Sequence, residues 1–302
     1  MIQDALHKIW QGHIKAQYSI ASLAYLMLRR HPVRVPDGKR RQLFILVNGP
    51  SLAPAIESYG DRLREHELMC VNMMATTDDF ARLRPHYYTI ADIKFWQHMD
   101  EIDKNDFLRE EQAKWDQISD ALIEKTKWHM YLFLPDLAKK NTELVRRLAS
   151  NRYLHPIYLN SGYDFQGFAS LHYQCWEHQL CIPDLENVLV LCLYCGILMD
   201  FAELDIIGCD HTYFSGFSVD PQNRFFYEFK HYYDNGSSYK VPYDSYGKPY
   251  SVGRVLEEYA HLWQIYGMLR RFADRSGVRI CNCTEPSMID TFERRPLEEA
   301  LR

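Results

Sequence analysis

Residues 43–52 read Leu-Phe-Ile-Leu-Val-Asn-Gly-Pro-Ser-Leu. Five apolar residues in a row, stopped by a polar turn, predict a short strand buried on both faces. Leu52, Ile56 and Leu63 then recur at helical spacing. Gly49 gives the turn backbone freedom, and Pro50 suits the start of a helix, where a missing N–H costs nothing. The same rhythm recurs along the chain. Strands are predicted at Leu68–Asn72, His86–Asp92, Trp128–Leu134, Leu154–Asn160, Leu204–Gly208 and Val278–Cys283. Helices are predicted at 1–30, 76–83, 103–126, 137–149, 187–199 and 252–273, with a short surface helix at 293–302. Sustained alternation of strand and helix predicts an α/β fold on a mostly parallel sheet. The run Asn187–Met199 is apolar almost all round and predicts a buried helix.

Two stretches break the rhythm. Residues 211–250 hold eight tyrosines, several glycines and prolines, and little periodicity. Such a segment inside a compact domain reads as a functional lid, and its aromatic content argues against simple disorder. Residues 1–40 join a helix, with Ile14, Tyr18, Ala21, Tyr25 and Leu28 on one face, to a basic linker containing Arg29, Arg30, Arg34, Lys39 and Arg40. Two readings stay open: a helix lying on an anionic membrane surface, or one packed on the domain with a solvated linker behind it. Packing is favoured, because the helix is not markedly basic on one face. The expected organisation is 1–40 as helix and linker, 41–290 as the catalytic domain with its lid, and 291–302 as a tail.

Composition narrows the classes. The 302 residues are 47% hydrophobic and 25% charged, which is globular, and the net charge of −5 gives no basic field for nucleic acid. No apolar run approaches the roughly 20 residues of a spanning helix, and the N-terminus lacks a secretory pattern. Eight scattered cysteines suit a reducing compartment. Cys192-Leu-Tyr-Cys195 has no second pair and reads as core rather than zinc. A cytoplasmic location is expected, with peripheral contact at the inner membrane and a homo-oligomer both left open.

Three successive strands end in short polar side chains, at Asn48, Asn72 and Asp92. In a parallel sheet these ends share one edge, where α/β folds bind ligands. Each alone is an ordinary turn former; the recurrence points to a shared pocket. The segment Gly208-Cys-Asp-His-Thr-Tyr-Phe214 ends a further strand, so Asp210, His211 and Tyr213 join the candidates.

Asn48-Gly-Pro-Ser-Leu52 after an apolar strand, Asn72 ending the next, and the buried helix leading to Gly208-Cys-Asp-His-Thr-Tyr-Phe214 together resemble the bacterial sialyltransferase-like glycosyltransferases. That group includes Campylobacter-type lipooligosaccharide sialyltransferases, the related domain of motility accessory factors, and the archaeal hydroxymethylpterin pyrophosphokinase group. The resemblance covers about residues 41–290. It implies a Rossmann-like site for a CMP-activated acidic sugar, with the nucleotide held by Asn48, Gly49, Pro50, Ser51, Asn72 and Asp92, and the departing phosphate by Tyr213. The sequence departs from that pattern in one respect. Where the sialyltransferases carry a basic histidine before the late helix, Gly247-Lys-Pro-Tyr-Ser-Val252 has none. His211 and His231 are then the candidates for the base, and Asp210 for orienting His211 or capping the next turn.

No Asp-x-Asp follows a strand, so metal-free chemistry with no cofactor is expected, the leaving phosphate being held by tyrosine hydroxyls and helix N–H groups. The partners are then a nucleotide sugar and a glycan acceptor, and the leading function a glycosyltransferase building a bacterial cell-surface glycan. A pterin-type diphosphotransferase using ATP and magnesium, or a nucleotide-binding protein without catalysis, remain alternatives.

Overall fold

A computed structural model of the protein describes residues 2–92, 106–233, 238–244 and 247–302. The start of the helix expected at 103–126, residues 234–237 and 245–246 of the expected lid, and with them Tyr246, lie outside the described residues. The core is one eight-stranded sheet, built from β1 (Gln42–Leu46), β2 (Glu67–Val71), β3 (Tyr87–Thr89), β4 (Met130–Pro135), β5 (Leu154–Leu159), β6 (Glu203–Ile207), β10 (Arg279–Asn282) and β11 (Glu293–Arg294). Its order is β11-β10-β6-β1-β2-β3-β4-β5, and every neighbouring pair is parallel. The chain runs outward from β1 to β5, returns, and continues on the other side of β1 with β6. The order therefore reverses between β1 and β6, and the loops leaving those strands part to form a crevice.

Helices cover both faces. Leu43 and Ile45 of β1 join one core, with α1 (Ile2–Arg29), α7 (Val188–Leu198) and α8 (Val252–Ser276) on it. Phe44 and Leu46 point the other way, into a core covered by α2 (Leu52–Leu63), α3 (Asp78–Leu83), α4 (Asp106–Lys125), α5 (Thr142–Ser150) and α9 (Leu297–Ala300). Because side chains alternate across a strand, an all-apolar strand feeds two cores at once. Leu189 to Ile197 of α7 are all buried, Cys192 and Cys195 among them, and all eight cysteines are buried and free.

Outside the 211–250 segment the structure departs from the sequence reading in four places. The expected helix at 137–149 is a 3-10 turn, Asp136–Lys140, followed by α5, with Asn141 capping the latter through Leu144 N–H at 2.9 Å. A further helix, α6 (Ala169–Glu177), carries no clean apolar stripe: the polar His172 is buried with Tyr173, Cys175 and Trp176, and these three pack into the core that holds α7 and α8. The tail is not simply a surface helix: β11 extends the sheet, and the Ala300 carbonyl accepts from Gln42 Nε2 at 2.9 Å. Finally, α1 packs through Ser19, Ser22 and Leu26, whereas Tyr18, Ala21, Tyr25 and Leu28 of its apolar face are exposed. Ser22 Oγ meets Tyr163 Oη at 3.1 Å, and Ser19 and Ser22 accept the N–H groups of Phe168 and Gln166.

Candidate functional site

The loops after β1 and β6 cross at the point of reversal. Val47 N–H donates to Ile207 C=O and Gly49 N–H to Gly208 C=O, each at 2.8 Å. A Cβ on Gly49 would strike the Asp210 carboxylate and the Gly208 carbonyl, and one on Gly208, at φ +76°, would strike the Val47 carbonyl. Only glycine permits this approach. Asp210 then closes the crossing from its side: Ser51 N–H donates to Oδ1 at 3.2 Å and Ser51 Oγ to Oδ2 at 2.9 Å. Ser51 therefore does not cap α2, and Asp210 is tied to Ser51 rather than to His211. Burial raises the Asp210 pKa above the usual carboxylate range, against those two bonds.

A cleft of about 970 Å³ opens at this crossing. Asn48, Gly49 and Pro50 line it from β1, Asn72 from β2 and Asp92 from the end of β3. Asp210, His211 and Tyr213 line it from β6, and His231 from beyond. Of the residues singled out in the sequence, Ser51 alone stands behind the wall rather than in it. Asn48 Nδ2 donates to the Val71 carbonyl at 3.2 Å, and this leaves its Oδ1 buried with no hydrogen-bond partner. Asn72 Oδ1 is in the same condition. Two buried acceptors without donors are costly unless a ligand supplies them. Asn72 also sits at φ +47°, a left-handed conformation, held there by the Tyr88 hydroxyl, which donates to its carbonyl and accepts the Ala75 N–H at 2.7 Å.

His211, also left-handed at φ +53°, is buried in a chain of hydrogen bonds of defined polarity. Asn187 Oδ1 caps α7 by accepting from Val190 N–H at 3.1 Å, so its amide nitrogen is the end that donates to Tyr266 Oη at 2.7 Å. Tyr266 then gives its own proton to His211 Nε2, 2.8 Å away. With Nε2 accepting, the neutral ring carries its proton on Nδ1 and donates it to Tyr213 Oη at 2.8 Å. The Tyr213 hydroxyl proton is thereby directed away from the ring. Burial lowers the His211 pKa to about 4, which keeps the ring neutral at pH 7.

The segment expected as a lid is ordered where it is described. It contains a 3-10 turn at Tyr213–Gly216 and an antiparallel sheet of β7 (Ser218–Val219), β8 (Phe225–Phe229) and β9 (Ser238–Lys240). Tyr213 stacks on Tyr259 of α8 at 5.4 Å, with Phe214 4.7 Å from the same ring. Tyr232 N–H donates to the Asn48 carbonyl at 3.1 Å, and its hydroxyl meets Thr77 Oγ1 at 3.0 Å. The lid thus rests on the β1 turn and on α8.

Sequence reasoning missed Asn187, Tyr266 and Lys230. Asn187 had the signal of a capping residue before an apolar run, and Tyr266 looked like one more core aromatic on its helix. Lys230 brings an exposed cation to the cleft, where Arg254 is held by Glu258 at 3.0 Å. Among the described residues, ligand atoms with spacing suited to a metal belong to Asp184, Glu186 and His261, all within 4.8 Å of one another. Glu186 of this trio reaches the cleft wall.

No protein-family model matches the chain, and no curated protein matches it. Among solved structures it is similar to the MAf glycosyltransferase from Magnetospirillum magneticum AMB-1, at 13% identity and a TM-score of 0.44. That alignment covers 95% of this chain and 39% of the other, so the chain spans about two fifths of that protein's length.

Proposed function

We propose that the protein is a glycosyltransferase that takes a CMP-activated acidic sugar, of the sialic-acid or another ulosonic-acid type, and transfers it to a glycan acceptor. The observation that carries this reading is the pair of unpartnered buried oxygens, Asn48 Oδ1 and Asn72 Oδ1, beside the crevice between β1 and β6. They call for a ligand rich in donors, such as ribose hydroxyls or an exocyclic amine. In the proposed mechanism the Tyr213 hydroxyl, aimed through His211, Tyr266 and Asn187, donates to the phosphate as it departs. Lys230 meets the acidic group of the sugar. His211 acts as a positioning residue, because both of its ring nitrogens are engaged by tyrosine hydroxyls. The acceptor proton then passes to His231, on the cleft wall beside Tyr233.

Thermal unfolding with CMP or CDP, without metal, tests the reading. At about 100 times the dissociation constant, stabilisation by roughly 2.7 kcal/mol is expected. Asn48→Ala and Asn72→Ala should each weaken CMP binding about fivefold in calorimetry, the worth of one net hydrogen bond. Unchanged affinity in both variants would remove the pocket assignment. The Asp184–Glu186–His261 group favours a second reading, a diphosphotransferase dependent on a divalent cation. Stabilisation by ATP with magnesium, and none by CMP, would select it.

A further inference from the structure

Helix α1 packs the wrong way round for a helix whose purpose is to cover a core. Its inner face places the small polar Ser19 and Ser22 beside Leu23 and Leu26, which reach the core. Its outer face carries large apolar side chains, with the hydrogen-bonded pair His13 and Gln17 among them. Leu28 is 87% exposed, Ile20 70%, Trp10 59%, Met27 59% and Tyr18 58%. Single exposed apolar residues are ordinary, but a stripe along one helix marks a contact surface. No helix among the described residues is long and apolar enough to cross a membrane, so α1 would lie along a surface rather than span it.

Charge decides what that surface is. Residues 5–36 contain Lys8, Lys15, Arg29, Arg30 and Arg34 and no acidic residue, in a chain whose net charge is −5. The neighbouring Arg40 and Arg41 are taken by Asp200 and Glu67, whereas Lys15, Arg30 and Arg34 form no ion pair among the described residues. Two copies of this face would bring cations together with no carboxylate to receive them. An anionic lipid surface supplies both the apolar layer and the negative charge.

We propose that the outer face of α1 docks the protein in the plane of an anionic bilayer, with Ile20, Met27 and Leu28 inserted at the headgroup boundary and Arg30 and Arg34, just past its C-terminal end, on the lipid phosphates. Helix α1 rests on residues 163–168, which follow β5 at its carboxyl end. The cleft opens at that same edge of the parallel sheet. Such docking is independent of the chemistry proposed for the cleft.

Co-sedimentation of the full chain with vesicles tests it. Binding is expected to vesicles of phosphatidylcholine with about 30% phosphatidylglycerol, and about tenfold or more weaker binding to phosphatidylcholine alone. Raising salt to ~0.5 M should release the protein. Ile20→Asp/Leu28→Asp and Arg30→Glu/Arg34→Glu should each abolish sedimentation while leaving the unfolding temperature unchanged, since all four side chains are exposed. If the doubly substituted Ile20/Leu28 variant loses stability, the salt dependence of the unaltered chain and the Arg30/Arg34 variant decide. Failure to bind anionic vesicles, or equal binding by the variants, overturns the proposal. So does a dimer in light scattering that Ile20→Asp/Leu28→Asp splits, which would make the face an interface between copies.

Discussion

At the residue scale, His211 carries the most consequences. A histidine placed at a strand end beside an aspartate reads as a base, but the fold buries the ring between two tyrosine hydroxyls and lowers its pKa to about 4. Between pH 6.5 and about 4 the unfolded chain protonates this histidine and the native protein does not, so stability falls as the pH falls through that window. The shift corresponds to roughly 3 kcal/mol. Urea unfolding of His211→Gln should therefore show a flatter acid limb than the unaltered protein between pH 6.5 and 4; parallel limbs would deny the buried neutral ring. Turnover separates the two histidines. His231→Ala should lower single-turnover rates with a saturating CMP-sugar by about 10²–10⁴-fold, as expected for a positioned base, with donor affinity kept. Near-normal rates would move the base elsewhere.

At the scale of the element, the lid shows how far periodicity reaches. Residues 211–250 were expected to lack regular structure, because Tyr213, Tyr227 and Tyr232 follow no period. The described strands β7, β8 and β9 are short and antiparallel, two to five residues each, too few for an alternation to be legible. What anchors them is aromatic stacking on α8 and the bond from Tyr232 to Asn48, contacts between residues far apart in the chain. If the lid closes over a nucleotide at Asn48, amide exchange in β8 and at Tyr232 should slow when CMP is added. Equal protection with and without CMP would make the segment a fixed wall.

For the whole molecule, the tail proves structural. Residues 293–302 place β11 on the sheet, bury Leu301, and set the Leu301 carbonyl against Arg62 Nη2 at 2.8 Å. Removing them should cost about 2–3 kcal/mol, the worth of one buried leucine with its neighbours, measurable as a lower midpoint in urea. A merely appended helix would leave the midpoint unchanged. The sequence by itself determined the α/β class, the succession of the main strands along the chain, the buried helix α7 and the strand-end residues Asn48, Asn72 and Asp210, because runs of apolar residues and turn formers are local signals. Only the tertiary structure decided which of these meet. Reversal of strand order between β1 and β6 brings Gly49 against Gly208 and Ser51 against Asp210, and Asn187, Tyr266, His211 and Tyr213 meet in one chain from three separate segments. The outward turn of α1 was equally out of reach. An apolar stripe reveals that a face will be covered, whereas only packing shows whether the rest of the chain is what covers it.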